Sequence, residues 1–382
     1  MGQKEEALAL HSRLKGKIEV RAKKGAALTK KSISLLYTPG VAAPCMEIAS
    51  DKAKSFQLTG KSNTIAVISD GSAVLGLGNI GPEAAMPVME GKALLFMELA
   101  GVNAFPIVLK TGSAQETVQA IRAMAPSFGG INLEDIAAPN CFFVEKELQD
   151  LGIPVVHDDQ HATAVVVLAG MINAFKLAGK KFSDAKIVLS GCGAAGTAIT
   201  KLLYSSPEFA PKEMVVFDRF GAVHRGNGAM PEHMKEIAQL TRNDFSGTLS
   251  EALQGADVFI GVSAPNILKE EDIKGMNKKA IVFAMANPVP EIAPELALKA
   301  GAFIVGTGRS DYKNQINNVL VFPGLFRGLL DARAKRLNEN AKIAAAKALA
   351  ASIKHSKEKI LPHALDKDYV QKIVKAVKKA SE

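Results

Sequence analysis

Four sets of residues in this sequence have types and spacing suited to chemistry. The clearest is the run Gly191-Cys192-Gly193-Ala194-Ala195-Gly196. A short apolar run, Lys186 to Ser190, precedes it with strand character, and Thr197 to Leu203 continues it as an amphipathic helix. A second apolar run, Met214 to Phe217, ends on Asp218, about 20 residues beyond the last glycine, the spacing of a dinucleotide-binding turn. The first glycine permits the tight turn, the second lets backbone N–H groups approach a pyrophosphate, and the third lets helix and strand pack closely. The helix N-terminus adds partial positive charge for the phosphates. Asp218 is suited to accept hydrogen bonds from ribose hydroxyls and to repel a 2′-phosphate, which favours NAD; Arg219 beside it keeps NADP open.

Two acidic dipeptides form the second set. Glu134-Asp135 follows a Gly-Gly turn, and Asp158-Asp159 follows the strand-like run Ile153 to His157. Adjacent residues on extended chain point opposite ways, so one aspartate of the second pair can face a ligand while the other braces a neighbour. Buried carboxylates repel unless a cation neutralises them, and an all-oxygen donor set suits Mg²⁺ or Mn²⁺. The third and fourth candidates are single residues. Lys92 lies in the largely apolar stretch MPVMEGKALLFMELA, where a lysine either snorkels to solvent or is held by a carboxylate. Burial lowers a lysine's pKa and makes it usable as a base. Tyr37, one of four tyrosines, lies in SLLYTPGVAAPC, a strand-like run stopped by Pro-Gly, where a core tyrosine with a satisfied hydroxyl is the plain reading.

The elements that position these residues read as α/β. Brief apolar runs at Thr64 to Ser69, Ala104 to Leu109 and Ile153 to His157 suit a buried parallel sheet in the N-terminal part. Glu83 to Ala100 and Thr163 to Leu177 read as helices, the latter joining two domains. From Lys186 the rhythm is strand, helix, strand, with later strands at Val258 to Val262, Ala280 to Ala284 and Phe303 to Val305. The expected architecture is an N-terminal α/β domain over 1–160, a doubly wound parallel-sheet domain of Rossmann type over 161–325, and C-terminal helices over 326–382 that pack on the body or a partner.

At 382 residues the chain can bury a large core. Its net charge is +9, but aromatics are only 5% with no Trp, so it offers no stacking platform for nucleic acid. Many lysines fall at helical spacing after residue 335, as on the solvated face of packed helices. Three scattered cysteines, Cys45, Cys141 and Cys192, argue against a disulfide framework and for a reducing cytoplasm. No signal-peptide pattern opens the chain, and no apolar run suggests a membrane span.

Taken in order, LLYTPGVA (35–42), SDGSAVLGLGNIGP (69–82), MPVMEGKALLF (86–96), PSFGGINLEDI (126–136), VVHDDQHATA (155–164), GCGAAG (191–196), ANPVPEI (286–292) and GTGRSDYKNQINNVLVFPG (306–324) resemble the malic enzymes, in particular the short bacterial-type NAD(P)-dependent malate oxidoreductases. The resemblance implies a metal held by Glu134, Asp135 and Asp159, a lysine base at Lys92 and a tyrosine acid at Tyr37, with Asp158 orienting or tuning the lysine. It places Asn287, Asn317 and Asn318 near malate and nicotinamide, and Thr163, Gly191, Gly193, Ala194, Ala195, Gly196, Asp218 and Asn287 at the cofactor. It also implies a homodimer at least. Two positions depart from the pattern. Ala73 stands where larger relatives have an arginine for the substrate carboxylate, and Ala162 stands where a glycine usually precedes the threonine.

The implied activity is oxidative decarboxylation of L-malate to pyruvate and CO₂ with NAD, or NADP, and Mg²⁺ or Mn²⁺. A desolvated lysine suits the C2 hydroxyl proton, a cation suits the enolate charge, and a phenol suits protonation of C3. A non-decarboxylating 2-hydroxy acid dehydrogenase is the nearest rival, but it leaves the acids without a task. A catalytically silent nucleotide sensor is another, although none of the chemical residues is missing. No nucleic acid or membrane partner is expected.

Overall fold

The structure, a computed structural model, describes residues 2–23, 28–74, 76–366 and 368–382. Its first sheet is parallel, in the order β2-β1-β3-β4, from β1 (Thr64–Ser69), β2 (Asn103–Val108), β3 (Gly130–Leu133) and β4 (Val155–His157). The second has the order β10-β9-β8-β5-β6-β7, from β5 (Lys186–Ser190), β6 (Glu213–Asp218), β7 (Gly221–Ala222), β8 (Val258–Gly261), β9 (Ile281–Ala284) and β10 (Ile304–Thr307). All its pairings are parallel except the short β7 against β6. β3 was not foreseen, because its four residues, GINL, carry little apolar signal.

Each sheet has a point where the strand order reverses, between β1 and β3 in the first and between β5 and β8 in the second. Ligands in open α/β sheets bind outside the strands' carboxyl ends at such points. The chemistry-bearing segments leave the sheets at these points or, after β4, on the strand next to one. Glu134-Asp135 follows β3, Asp158-Asp159 follows β4, and the glycine run follows β5.

The sheets are joined by the helix Asp158–Ala178, which begins directly at the end of β4. By length and composition this helix is apolar enough to cross a membrane, which the sequence reading did not anticipate. Its apolar window is 72% buried inside the protein, however, and it packs on the helices Ala194–Tyr204 and Glu339–Ala350, as a core helix does. The C-terminal helix Asp368–Ser381 buries Tyr369, Val370, Ile373, Val374 and Val377 against the body, while Lys372, Lys375, Lys378 and Lys379 stay exposed. It packs on Phe322–Asp331, which in turn packs on the helix Pro82–Ala100.

Asp257 pins the second sheet at its entry. Its carboxylate accepts from the Lys186 amide at 2.9 Å and the Asn277 side chain at 3.0 Å, and pairs with Lys180. Burial works against its charge, but these donors, Lys180 first, hold the carboxyl below its usual range. We expect Asp257→Asn to cost about 1–3 kcal/mol at neutral pH. A depressed carboxyl stabilises the fold above its unfolded pKa, and that contribution disappears as pH falls through the folded value. Urea unfolding of both proteins should therefore show a gap at pH 7 that narrows in acid.

Candidate active site

The acids meet because of strand register. β3 and β4 are parallel with Leu133 opposite His157, so the next residues along, Glu134-Asp135 and Asp158-Asp159, leave the sheet side by side. Asp135 turns the chain with φ of 53°, a left-handed conformation that aspartate tolerates better than most residues. Its amide donates to Asp159 Oδ2 at 3.0 Å, locking the two segments together. Asp159 occupies the first turn of its helix, where the aligned peptide dipoles favour negative charge.

Lys92 reaches these acids from the helix Pro82–Ala100. The buried residues there, Ala85, Met89, Lys92, Ala93 and Phe96, form one helical stripe. Lys92 lies on that inward stripe, 7% exposed, and does not snorkel. Its Nζ donates to Glu134 Oε1 at 2.5 Å and Asp158 Oδ2 at 2.5 Å, and sits 4.4 Å from the centre of the Phe322 ring. Asn132 steadies the other oxygen of Glu134 at 2.9 Å.

The electrostatics differ from the sequence expectation in one respect. Burial does disfavour the Lys92 charge, but Asp158 and Glu134 outweigh it and hold the ammonium above the ordinary lysine range. The lysine's partners lie 66 and 42 residues away, so their effect could not be read locally. Burial also raises Asp158 well above its usual value and raises Glu134 and Asp159, with Lys92 opposing in each case. His157, fully buried behind them, is pushed down to about 4 by the same desolvation and is neutral.

Glu134, Asp135 and Asp159 each offer an oxygen, and these atoms lie within 4.8 Å of one another. Four carboxylates here face one ammonium, and Asp158 Oδ1 is buried without a hydrogen-bond partner. The excess of negative charge and the all-oxygen donor set fit a hard divalent cation of the Mg²⁺ or Mn²⁺ kind.

The same cleft, about 580 Å³, is lined by Lys92, Glu134, Asp135, Asp159, Thr163, Ala195, Asn287, Asn317 and Asn318. Ala195 belongs to the glycine run, whose remaining members stand beside it at the switch point. A Cβ on Gly196 would lie 1.7 Å from the Gly191 carbonyl oxygen, so only glycine lets this helix pack on its turn. A Cβ on Gly193 would meet nothing within 4 Å, so the open space there is not filled by the protein. No side chain caps the helix Ala194–Tyr204, leaving its first amides for an anion. Asp218 Oδ2 accepts from the Cys192 amide at 2.8 Å and so braces the turn. These features fit a dinucleotide.

Two candidates lie differently from the rest. Tyr37 is not among the cleft residues; it is 71% exposed and follows the helix Lys30–Leu36 instead of lying on a strand-like run. Asn317 lines the cleft but is also used structurally. Its Oδ1 accepts from the Val319 amide at 3.0 Å, and its Nδ2 donates to the Gly308 carbonyl at 3.1 Å. Ala73 lines the cleft, and Lys92 is the one lysine or arginine among the described residues that do so.

Sequence reading missed Glu291. It is fully buried and accepts from the amides of Ser263 and Ala286, each at 3.0 Å, tying together the loops after β8 and β9. A lone acid in the proline-bounded run NPVPE was the available signal. The lobes also touch at Gly76, where a Cβ would fall 2.1 Å from the Asn287 carbonyl oxygen.

Residues 15–149 match the family described as malic enzyme, N-terminal domain, and residues 160–381 match malic enzyme, NAD binding domain. A NAD-dependent malic enzyme of Geobacillus stearothermophilus is 54% identical over 371 residues, 96% of this chain and 77% of that protein. A bifunctional malic/malolactic enzyme of Bacillus subtilis is 50% identical, covering 100% of this chain and 93% of its own length. The crystal structure of a NAD-dependent malic enzyme from Thermotoga maritima superposes with a TM-score of 0.93 at 48% identity, over 97% of this chain and 98% of that one.

Proposed function

The chain belongs to the malic enzyme family, and from that premise we propose that it oxidatively decarboxylates L-malate to pyruvate and CO₂ with reduction of NAD or NADP. The observation that carries this reading is the placing of Lys92 between Glu134 and Asp158, beside a three-carboxylate cluster and in one cleft with the glycine run. A dehydrogenase without decarboxylation has no use for that cluster.

Glu134, Asp135 and Asp159 are the residues that would hold a divalent cation, and Gly191 to Gly196 with Asp218, Thr163 and Asn287 those that would hold the dinucleotide. When bound, the nicotinamide accepts hydride from C2, and the cation acts as a Lewis acid for the oxygen charge that grows as CO₂ leaves.

The chain's own residues manage the protons. Lys92, with Asp158 at 2.5 Å to take up its resting proton, receives the proton of the C2 hydroxyl. After the C3–C4 bond breaks, Lys92 returns that proton to the C2 oxygen. It takes it back as Tyr37 protonates C3, giving pyruvate. Asn318 and Asn317, which line the cleft, orient the substrate, Asn317 chiefly by holding the loop at Gly308 and Val319, and Phe322 shields the lysine from water. Asp218 favours NAD by repelling a 2′-phosphate.

We assign the region to residue 160 to catalysis and residues 161–325 to the dinucleotide, with the helices from 326 closing over both and the whole acting as at least a homodimer. The free thiols of Cys45, Cys141 and Cys192 suit a reducing cytoplasm.

The test is a steady-state assay with L-malate, comparing NAD with NADP and Mn²⁺ with none. We expect CO₂ and reduced cofactor in equal amounts, with activity requiring the metal. Reduced cofactor formed without CO₂ would overturn the reading.

A further inference from the structure

We propose that a second copy of this chain supplies the proton-donating phenol of each cleft, by inserting its Tyr37 beside the first copy's Lys92. This rests on the reading of Tyr37 as the C3 acid. The sequence holds four tyrosines, and none lines the described cleft. Tyr369 is buried against the Ala364 carbonyl, Tyr312 sits by Arg309 and Tyr204 ends the helix after the glycine run. Tyr37 is the phenol left exposed.

Its surroundings are built as an interface. No described side chain before Ile65 is buried. Ile33, Leu36 and Tyr37 fall on one helical face and are 47%, 56% and 71% exposed, and Leu14 and Met46, before and after this arm in the chain, are exposed too. Isolated soluble chains rarely leave so much apolar surface uncovered. The arm is nonetheless well formed. Thr29 and Ser32 make a reciprocal cap at the start of the helix, and Gly40 folds back on it, its amide donating to the Ser34 carbonyl at 2.8 Å. A Cβ on Gly40 would lie 2.6 Å from that oxygen, so the turn after Tyr37 is tight and fixed. A preformed turn that presents a phenol outward suits docking on another surface.

Charge points to the cleft as that surface. Lys30 and Lys31 open the Tyr37 helix and are exposed, whereas the cleft is rich in carboxylates and has Lys92 as its one described lysine or arginine. The occupant is a second copy, because a two-fold exchange covers both arms and completes both sites with one self-complementary contact.

The experiment co-expresses Tyr37→Phe and Lys92→Ala chains under different tags and purifies the mixed oligomer. In a mixed dimer one site carries both lesions and the other carries neither, so we expect about half the wild-type rate per dimer, against almost none for either parent. Two parents that are inactive and a mixed dimer that is equally inactive would place Tyr37 in its own chain's cleft and overturn the exchange. A near-normal rate for the Tyr37→Phe parent would instead overturn the role of Tyr37 itself. Sedimentation velocity gives a second check that does not depend on the variants, since a wild-type protein that stays monomeric while turning over also overturns the proposal.

Discussion

Lys92→Ala should lower kcat by about 10³-fold or more while leaving cofactor binding intact, as expected when a positioned proton-transfer group is lost. The lysine touches Glu134, Asp158 and Phe322 and lies outside the glycine run, so NADH titration followed by fluorescence should be unchanged. A variant that kept near-normal turnover would end the assignment. The same substitution should leave a signature in stability. Glu134 and Asp158 are buried acids whose pKa values burial raises and Lys92 restrains. Without the ammonium they rise further, so the folded state binds more protons than the unfolded state above the ordinary carboxylate range. Stability supplied by a raised acid is present at low pH and lost as pH climbs through the folded value. In EDTA, thermal melting of Lys92→Ala should fall below wild type at pH 8 and approach it near pH 5.

Asp159→Ala should abolish activation by Mn²⁺. Lewis-acid stabilisation is worth several kcal/mol, so the loss is about 10²-fold or more in rate. The substitution also frees the Asp135 amide, whose bond to Asp159 holds the left-handed turn that aims the Asp135 carboxylate. Direct calorimetric titration with Mn²⁺ should therefore show weakened binding even without substrate. An unchanged Mn²⁺ activation curve would remove Asp159 from the ligand set.

What could be read from the sequence was what is local along it. The glycine run declares itself because strand, turn, helix and distal acid all fall within one stretch of chain. The two acidic pairs are conspicuous because one follows a Gly-Gly turn and the other a strand-like apolar run. Their meeting was not legible, since it depends on the register of β3 against β4, and β3 itself gave too weak a signal to be seen. Lys92 stands out in its apolar helix, and of its two local alternatives the carboxylate-held one matches the structure; the desolvation is legible in that helix, whereas the identity of the opposing carboxylates arrives only through tertiary folding. The family resemblance brought Tyr37 to attention. Local propensity gave it a strand-like setting, while the Thr29–Ser32 cap starts a helix there. Glu291 escaped notice because its task, bracing two loops from inside, leaves no periodic trace.

The direct passage from β4 into the helix Asp158–Ala178 has a mechanical consequence. With no spare residue between strand and helix, a rod rooted in the cofactor lobe begins in the same turn that carries Asp159, while Glu134 and Asp135 ride on the first sheet. Because β4 is itself a strand of that sheet and the Asp135 amide holds Asp159, the three carboxylates stay on one body at the root of the rod. The backbone thus carries the position of the acidic cluster straight into the helix that packs on the second sheet's first helix, with no loop between them to absorb a shift.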